Sequence, residues 1–202
     1  MQALSTLSPI TARLRAAPDH LVCVMEEPDI AMVDLVLAPW REVLGEDWTA
    51  YRNHVIRMLH FCLAISPCGV IERQKLEIAG CFHDIGLWTH HTLDYLEPSV
   101  LPARAFLAEK GLEDWSEEVA LMITEHHKLR PFKDRRYPLV ELFRKGDLVD
   151  VSWGAVRFGI PRDTIDMVQR RFPNHGFHRM LARRAGAWFL RHPLRPAPMM
   201  KW

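Results

Sequence analysis

Apolar residues recur along this chain at mixed intervals of three and four, while the two-residue alternation of a half-buried strand is scarce. Side chains spaced that way share one stripe of a helix, so the pattern admits little except helix packed on helix, an all-α fold. The stripes run over 28–39, 46–66, 71–86, 99–110, 114–128, 137–152, 161–171 and 176–190. Ser66-Pro67, Cys68-Gly69, Glu97-Pro98, Pro131 and Pro173-Asn174 punctuate them. Ser99 is expected to cap the helix VLPARAFLAEK, and Ser116, followed by Glu117 and Glu118, to open the next one. Gly86 and Gly111 stand where helices are expected to stop.

A chain of 202 residues, 49% hydrophobic and 25% charged, has the makings of one domain with a sizeable core. That composition excludes a collagen, a disordered chain and a disulfide-stapled miniprotein. No stretch approaches the roughly 18 apolar residues of a membrane span. The opening MQALSTLSPITARLR lacks the apolar core of a secretory signal. Cys23, Cys62, Cys68 and Cys81 make no Cys-x-x-Cys pair, so free thiols in a reducing cytoplasm are expected, with no membrane partner. The expected organisation is an N-terminal extension over 1–24, a helical domain over 25–172, and a basic helix with a proline-rich tail over 173–202 packed on the same domain. Residues 167–202 hold eight Lys or Arg and no acid, a charge of +8. The other 18 Lys or Arg and all 25 acids leave −7 on residues 1–166. Such a segment attracts phosphate, nucleic acid or an acidic partner, or docks on its own acidic body. No helix-turn-helix, zinc-finger or RNA-binding signature accompanies it, so nucleic acid is not the expected partner. Oligomeric state is left open. Met199, Met200 and Trp202 in the tail can cover a groove on this chain or on a partner. Trp88, Trp153 and Trp188 are read as core.

Within the stripes stand polar residues that an apolar interior does not tolerate without a partner. His54 shares a helix face with Tyr51, Met58 and Phe61. His83 and Asp84 end the segment LEIAGCFHDIG, where the helix dipole repels a carboxylate, and Ala79 and Gly80 one turn earlier leave room for another helix to approach. Asp147 interrupts the stripe of Val140, Phe143 and Val151, and Asp150 is its rival or a supporting acceptor behind it. A buried carboxylate needs a cation. Two imidazoles and two carboxylates suit a divalent transition metal, and they leave coordination positions open for water and substrate.

The order His54, then His83-Asp84, then Asp147 in KGDLVDVSWG resembles the HD-domain superfamily of metal-dependent phosphohydrolases, over roughly Tyr51 to Gly154. The His-Asp pair followed by Ile-Gly is its most specific piece. The resemblance implies a helical bundle of about 7–9 helices. It also implies one divalent ion (Mn, Fe, Co, Ni or Zn) held by His54, His83, Asp84 and Asp147, and hydrolysis of a small phosphate ester or nucleotide by an activated water that Asp84 orients. In ITEHHKLRPF, His126 and His127 take the place of a histidine pair found in two-metal members. The further histidine those members carry upstream is missing from SVLPARAFLAEKG, which favours one metal. His126 or His127, with His126 preferred, is then the proton donor to a leaving group or a phosphate contact. Some one-metal nucleotidases use a glutamate three residues after the aspartate; Leu87 stands there, against that substrate class. Lys128, Arg130, Arg144 and Lys145 are candidates to pair with phosphate, or surface charges. The competing expectations are a hydratase or a two-iron oxygenase on the same scaffold, and a non-catalytic metal-bound regulator with a basic partner-binding tail.

Overall fold

The computed structural model describes residues 27–200. The 1–24 extension, Cys23 and Trp202 lie outside them. The architecture is all-α. The longer helices are α1 (Ile30–Leu37), α2 (Trp48–Ile65), α3 (Val70–Phe82), α4 (Leu96–Glu109), α5 (Ser116–Glu125), α6 (Pro138–Val151), α7 (Arg162–Arg171) and α8 (Phe177–Arg191). Single-turn helices cover Arg41–Leu44 and Gly86–Thr89. No helix among the described residues is long and apolar enough to cross a membrane.

Helix α2 runs through the middle of the molecule. Tyr51, Val55, Ile56, Met58, Leu59, Phe61 and Cys62 are all buried, so it is covered all round by its neighbours. Its closest neighbour is α6. A Cβ on Gly146 would stand 2.3 Å from Cys62 Sγ and 2.8 Å from the Met58 carbonyl, so only glycine lets the two backbones cross here. On the other side, Gly80 of α3 faces Val55 and Leu59 at ordinary to slightly tight contact distance. Small residues thus bring α3 and α6 onto α2 beside the residues that carry chemistry.

Helix ends follow local polar chemistry. Asp29 Oδ1 accepts the Met32 N–H at 3.1 Å and caps α1, while the Asp29 N–H donates to Glu77 Oε1 on α3 at 2.8 Å. Gly111, at φ +64°, sits in the left-handed conformation just past α4, as a terminating glycine should. Two expected signals act otherwise. Ser99 lies inside α4, which begins at Leu96, and its hydroxyl accepts the Gly86 N–H at 2.9 Å. Gly86 opens a helical turn instead of ending α3, which stops at Phe82. The reason is steric: a Cβ at Gly86 would stand 2.5 Å from the Tyr95 carbonyl. Among the expected core tryptophans, Trp153 is a correction. It is 51% exposed and stacks on His178, whereas Trp88 is buried.

The basic C-terminal segment packs on the domain. Phe177 and Met180 of α8 are buried. Arg171 pairs with Glu27 at 2.6 Å, Arg184 with Asp47 at 3.7 Å and Arg195 with Asp94 at 3.0 Å, each an acid of the body. Cys62, Cys68 and Cys81 are buried.

Candidate metal centre

Three helices and one turn deliver the centre. α2 brings His54, the turn after α3 brings His83 and Asp84, the end of α5 brings His126, and α6 brings Asp147. His54 and His83 are fully buried; Asp84, Asp147 and His126 are 3–4% exposed.

Each imidazole is held in one orientation by its far nitrogen. His83 Nδ1 meets the Gly80 carbonyl at 2.8 Å, and His126 Nδ1 the Ile123 carbonyl at 2.7 Å. A carbonyl only accepts, so both Nδ1 atoms carry the proton. His54 Nδ1 meets Asp150 Oδ2 at 2.7 Å. Arg57 forks that carboxylate, with Nε at 2.6 Å from Oδ1 and Nη2 at 2.7 Å from Oδ2. Burial alone would raise Asp150; the bonds from His54 and Arg57 outweigh it and bring its pKa to about 2, so His54 Nδ1 also donates. All three Nε2 atoms therefore present a lone pair when the ring is neutral.

Those lone pairs converge. His54 Nε2 and His83 Nε2 stand 3.1 Å apart. Asp147 Oδ1 is 3.4 Å from the first and 3.9 Å from the second; Asp84 Oδ2 is 4.0 and 3.4 Å away. Ligand atoms about 2.1 Å from one ion stand roughly 3.0 to 3.4 Å apart at right-angled to tetrahedral geometry; three of these five separations fall in that range, and those of 3.9 and 4.0 Å are wider. Two facing acceptors with no proton between them repel, and a cation resolves that contact.

Electrostatics agree. Burial holds His83 neutral, with its pKa lowered to about 3. Burial also raises Asp147 to about 6; the Asp84 and Asp150 carboxylates add to it, and together they outweigh the opposing pull of the neighbouring imidazoles. Burial works against ionised Asp84 as well, yet the imidazoles of His83 and His126 keep it well below the usual carboxylate range. Burial opposes a charge on His126, and the Asp84 and Asp147 carboxylates outweigh it, so its pKa lies above the ordinary imidazole value. Asp84 Oδ1 and His126 Nε2, 3.6 Å apart, are buried without a hydrogen-bond partner. Orphaned polar atoms of this kind are rare in folded proteins and point to a missing ligand.

The four expected residues are thus brought together, and His54, His83 and Asp84 form a donor trio that could hold a metal ion. His126 joins the centre. His127 lies beside it, ring centroids 4.0 Å apart, but its Nε2 is 2.6 Å from Tyr95 Oη. Asp84, His126 and His127 form a second donor trio that shares Asp84 with the first. The expected phosphate contacts are largely engaged elsewhere. Arg144 forks Glu141 at 2.8 Å through two nitrogens, Lys145 approaches the same carboxylate at 3.8 Å, and Lys128 pairs with Glu125 at 3.3 Å. Arg130 is exposed.

Of the other residues that shape the centre, Arg57 and Phe177 did not emerge from the sequence, and Tyr51 emerged only as a neighbour on the His54 face. Arg57 carries the same signal as Asp147, a charge inside an apolar stripe, one turn beyond His54. Tyr51 donates to the Cys81 carbonyl at 3.1 Å and stacks on His83, centroids 5.9 Å apart. Phe177 stacks on His54 at 4.1 Å and 16°; no sequence spacing ties a residue 123 positions away to His54. No family model, curated protein or solved structure matches this chain.

Proposed function

We propose that this protein is a metal-dependent hydrolase of the HD-domain type, acting on a small phosphate ester or nucleotide. The observation that carries the reading is the pair of Nε2 lone pairs of His54 and His83, facing each other at 3.1 Å beside two buried carboxylates. His54, His83, Asp84 and Asp147 hold the ion, one of Mn, Fe, Co, Ni or Zn. When bound, it polarises a phosphoryl oxygen and makes water a nucleophile at neutral pH. Asp150 and Arg57 keep His54 in the ligating tautomer. Asp84 Oδ1, free of other partners, accepts a hydrogen bond from the attacking water and orients it. His126, whose environment favours its protonated form, donates to the leaving oxygen. Tyr95 holds His127 away from that duty, which favours one ion over two.

The test is metal-dependent turnover. Protein loaded with each ion in turn is assayed against phosphomonoesters, phosphodiesters and nucleotides, with Asp84→Asn as control. Turnover that needs the ion and disappears in the variant supports the reading; turnover indifferent to both contradicts it.

One observation favours a second reading. Three of the four candidate phosphate contacts are paired with glutamates, and aromatic rings of Phe177 and Tyr51 stack against the ligand imidazoles. An aromatic surround in which most of the expected phosphate-binding cations are already paired suits a small neutral substrate, as in hydration of a nitrile-like group. A neutral nitrile included in the same assay separates the two.

A further inference from the structure

The donor atoms lie under protein, with His54 and His83 fully buried and Asp84 and Asp147 at most 4% exposed. Any molecule that reacts there must first displace something. The segment over His54 has the anatomy of a movable part. Its approach is fastened to α2: the Phe172 carbonyl accepts from Arg57 Nη1 at 3.0 Å, and the Pro173 carbonyl from Asn53 Nδ2 at 2.9 Å. Next come His175 at φ +49° and Gly176 at φ +87°, two successive left-handed residues, the first of which carries a side chain. That conformation is uncommon for a residue with a Cβ. Phe177 follows at once, fully buried, with its ring flat against His54. His178 Nε2 adds a contact of 3.2 Å to the Asp150 carbonyl.

Beyond that point the helix is thinly held. Met180 is its other buried residue, while Leu181, Ala185 and Trp188 are only partly covered. Its middle rests on Arg184, which donates to the Leu87 carbonyl, approaches Asp47 and lies 5.1 Å over the Trp88 ring. Helices attached through few buried side chains and exposed polar ties belong to the low-stability end of a fold, from which lids are drawn.

We propose that α8 is a hinged cover over the metal centre, with Phe177 as the plug, residues 174–176 as the hinge and Arg184 as the latch. Its purpose rests on the hydrolase reading, whereas its motion does not depend on a bound ion. Opening admits substrate and the attacking water to the Nε2 edges of His54 and His83, and closing seals them, which would exclude bulk solvent from the reaction.

The test uses the full-length metal-free chain and diethyl pyrocarbonate, with modification of each histidine followed by peptide mass spectrometry. Exposed His91 serves as the internal standard. Phe177→Ala and, independently, Arg184→Ala should speed labelling of His54 relative to His91 by about tenfold or more through the open population. Phe61→Leu, a core change on α2, controls for general loosening and should leave that ratio near wild type. Equal ratios in all proteins, or a Phe61→Leu effect as large as that of Arg184→Ala, would overturn the cover. A chain that binds no metal would remove the hydrolase reading while leaving this labelling result to stand by itself.

Discussion

A carboxylate buried among histidines needs positive charge, and Asp147 shows the cost of lacking it. Burial raises its pKa from 3.8 to about 6. The metal-free folded state therefore binds this proton more tightly than the unfolded chain does. Its contribution to stability is full below pH 4 and is lost as pH rises through 6, a difference of up to about 3 kcal/mol. Asp147→Asn should accordingly stabilise the metal-free protein at pH 8 and make little difference near pH 4; urea unfolding at the two pH values checks this. With metal present the order should reverse, because the variant loses a ligand. Asp150 has the opposite character, an acceptor already saturated by His54 and Arg57. Asp150→Asn should weaken metal binding by about 10–100-fold through loss of orientation at His54, as read by competition with a chelator of known affinity. An unchanged affinity would show that the His54 tautomer is set without it.

The contacts between elements depend on residues that look unremarkable in sequence. Gly146 lets α6 cross α2 at backbone contact and so sets Asp147 beside His54. Gly146→Ala should cost about 1–3 kcal/mol by overpacking and lower metal content at the same time; a stable, fully loaded variant would show that the crossing can relax. Helices themselves were legible, since apolar periodicity survives any detail of packing: the expected 46–66, 137–152 and 161–171 appear as Trp48–Ile65, Pro138–Val151 and Arg162–Arg171. Their ends were less so. Ser99 resembles a cap but serves the Gly86 N–H from inside α4, and Gly86 resembles a stop but is needed where Tyr95 comes close. In both cases a tertiary contact overrides the local preference. The convergence of His54, His83, Asp84 and Asp147 was legible because burial of each contradicts its own chemistry. Phe177 and Tyr95 were not, because an aromatic residue at a site and one in a core carry the same local signal.

At the scale of the whole molecule, the segregated charge has a structural outlet. The basic C-terminal segment returns to the acidic body through Arg171, Arg184 and Arg195, and one of those ties fastens the helix that covers His54. The fold thus gathers polar groups from four places in the chain into one buried centre that could hold a metal ion. The most direct measurement is the metal content of the purified full-length protein by elemental mass spectrometry, beside Asp147→Ala after incubation with Mn, Co, Ni and Zn. About one transition metal per chain is expected in the wild type, with a large loss in the variant. About two per chain would contradict the single-ion centre and bring His126 and His127 in as ligands. A wild-type protein that takes up no ion, under conditions in which it is folded, would contradict the metal centre itself.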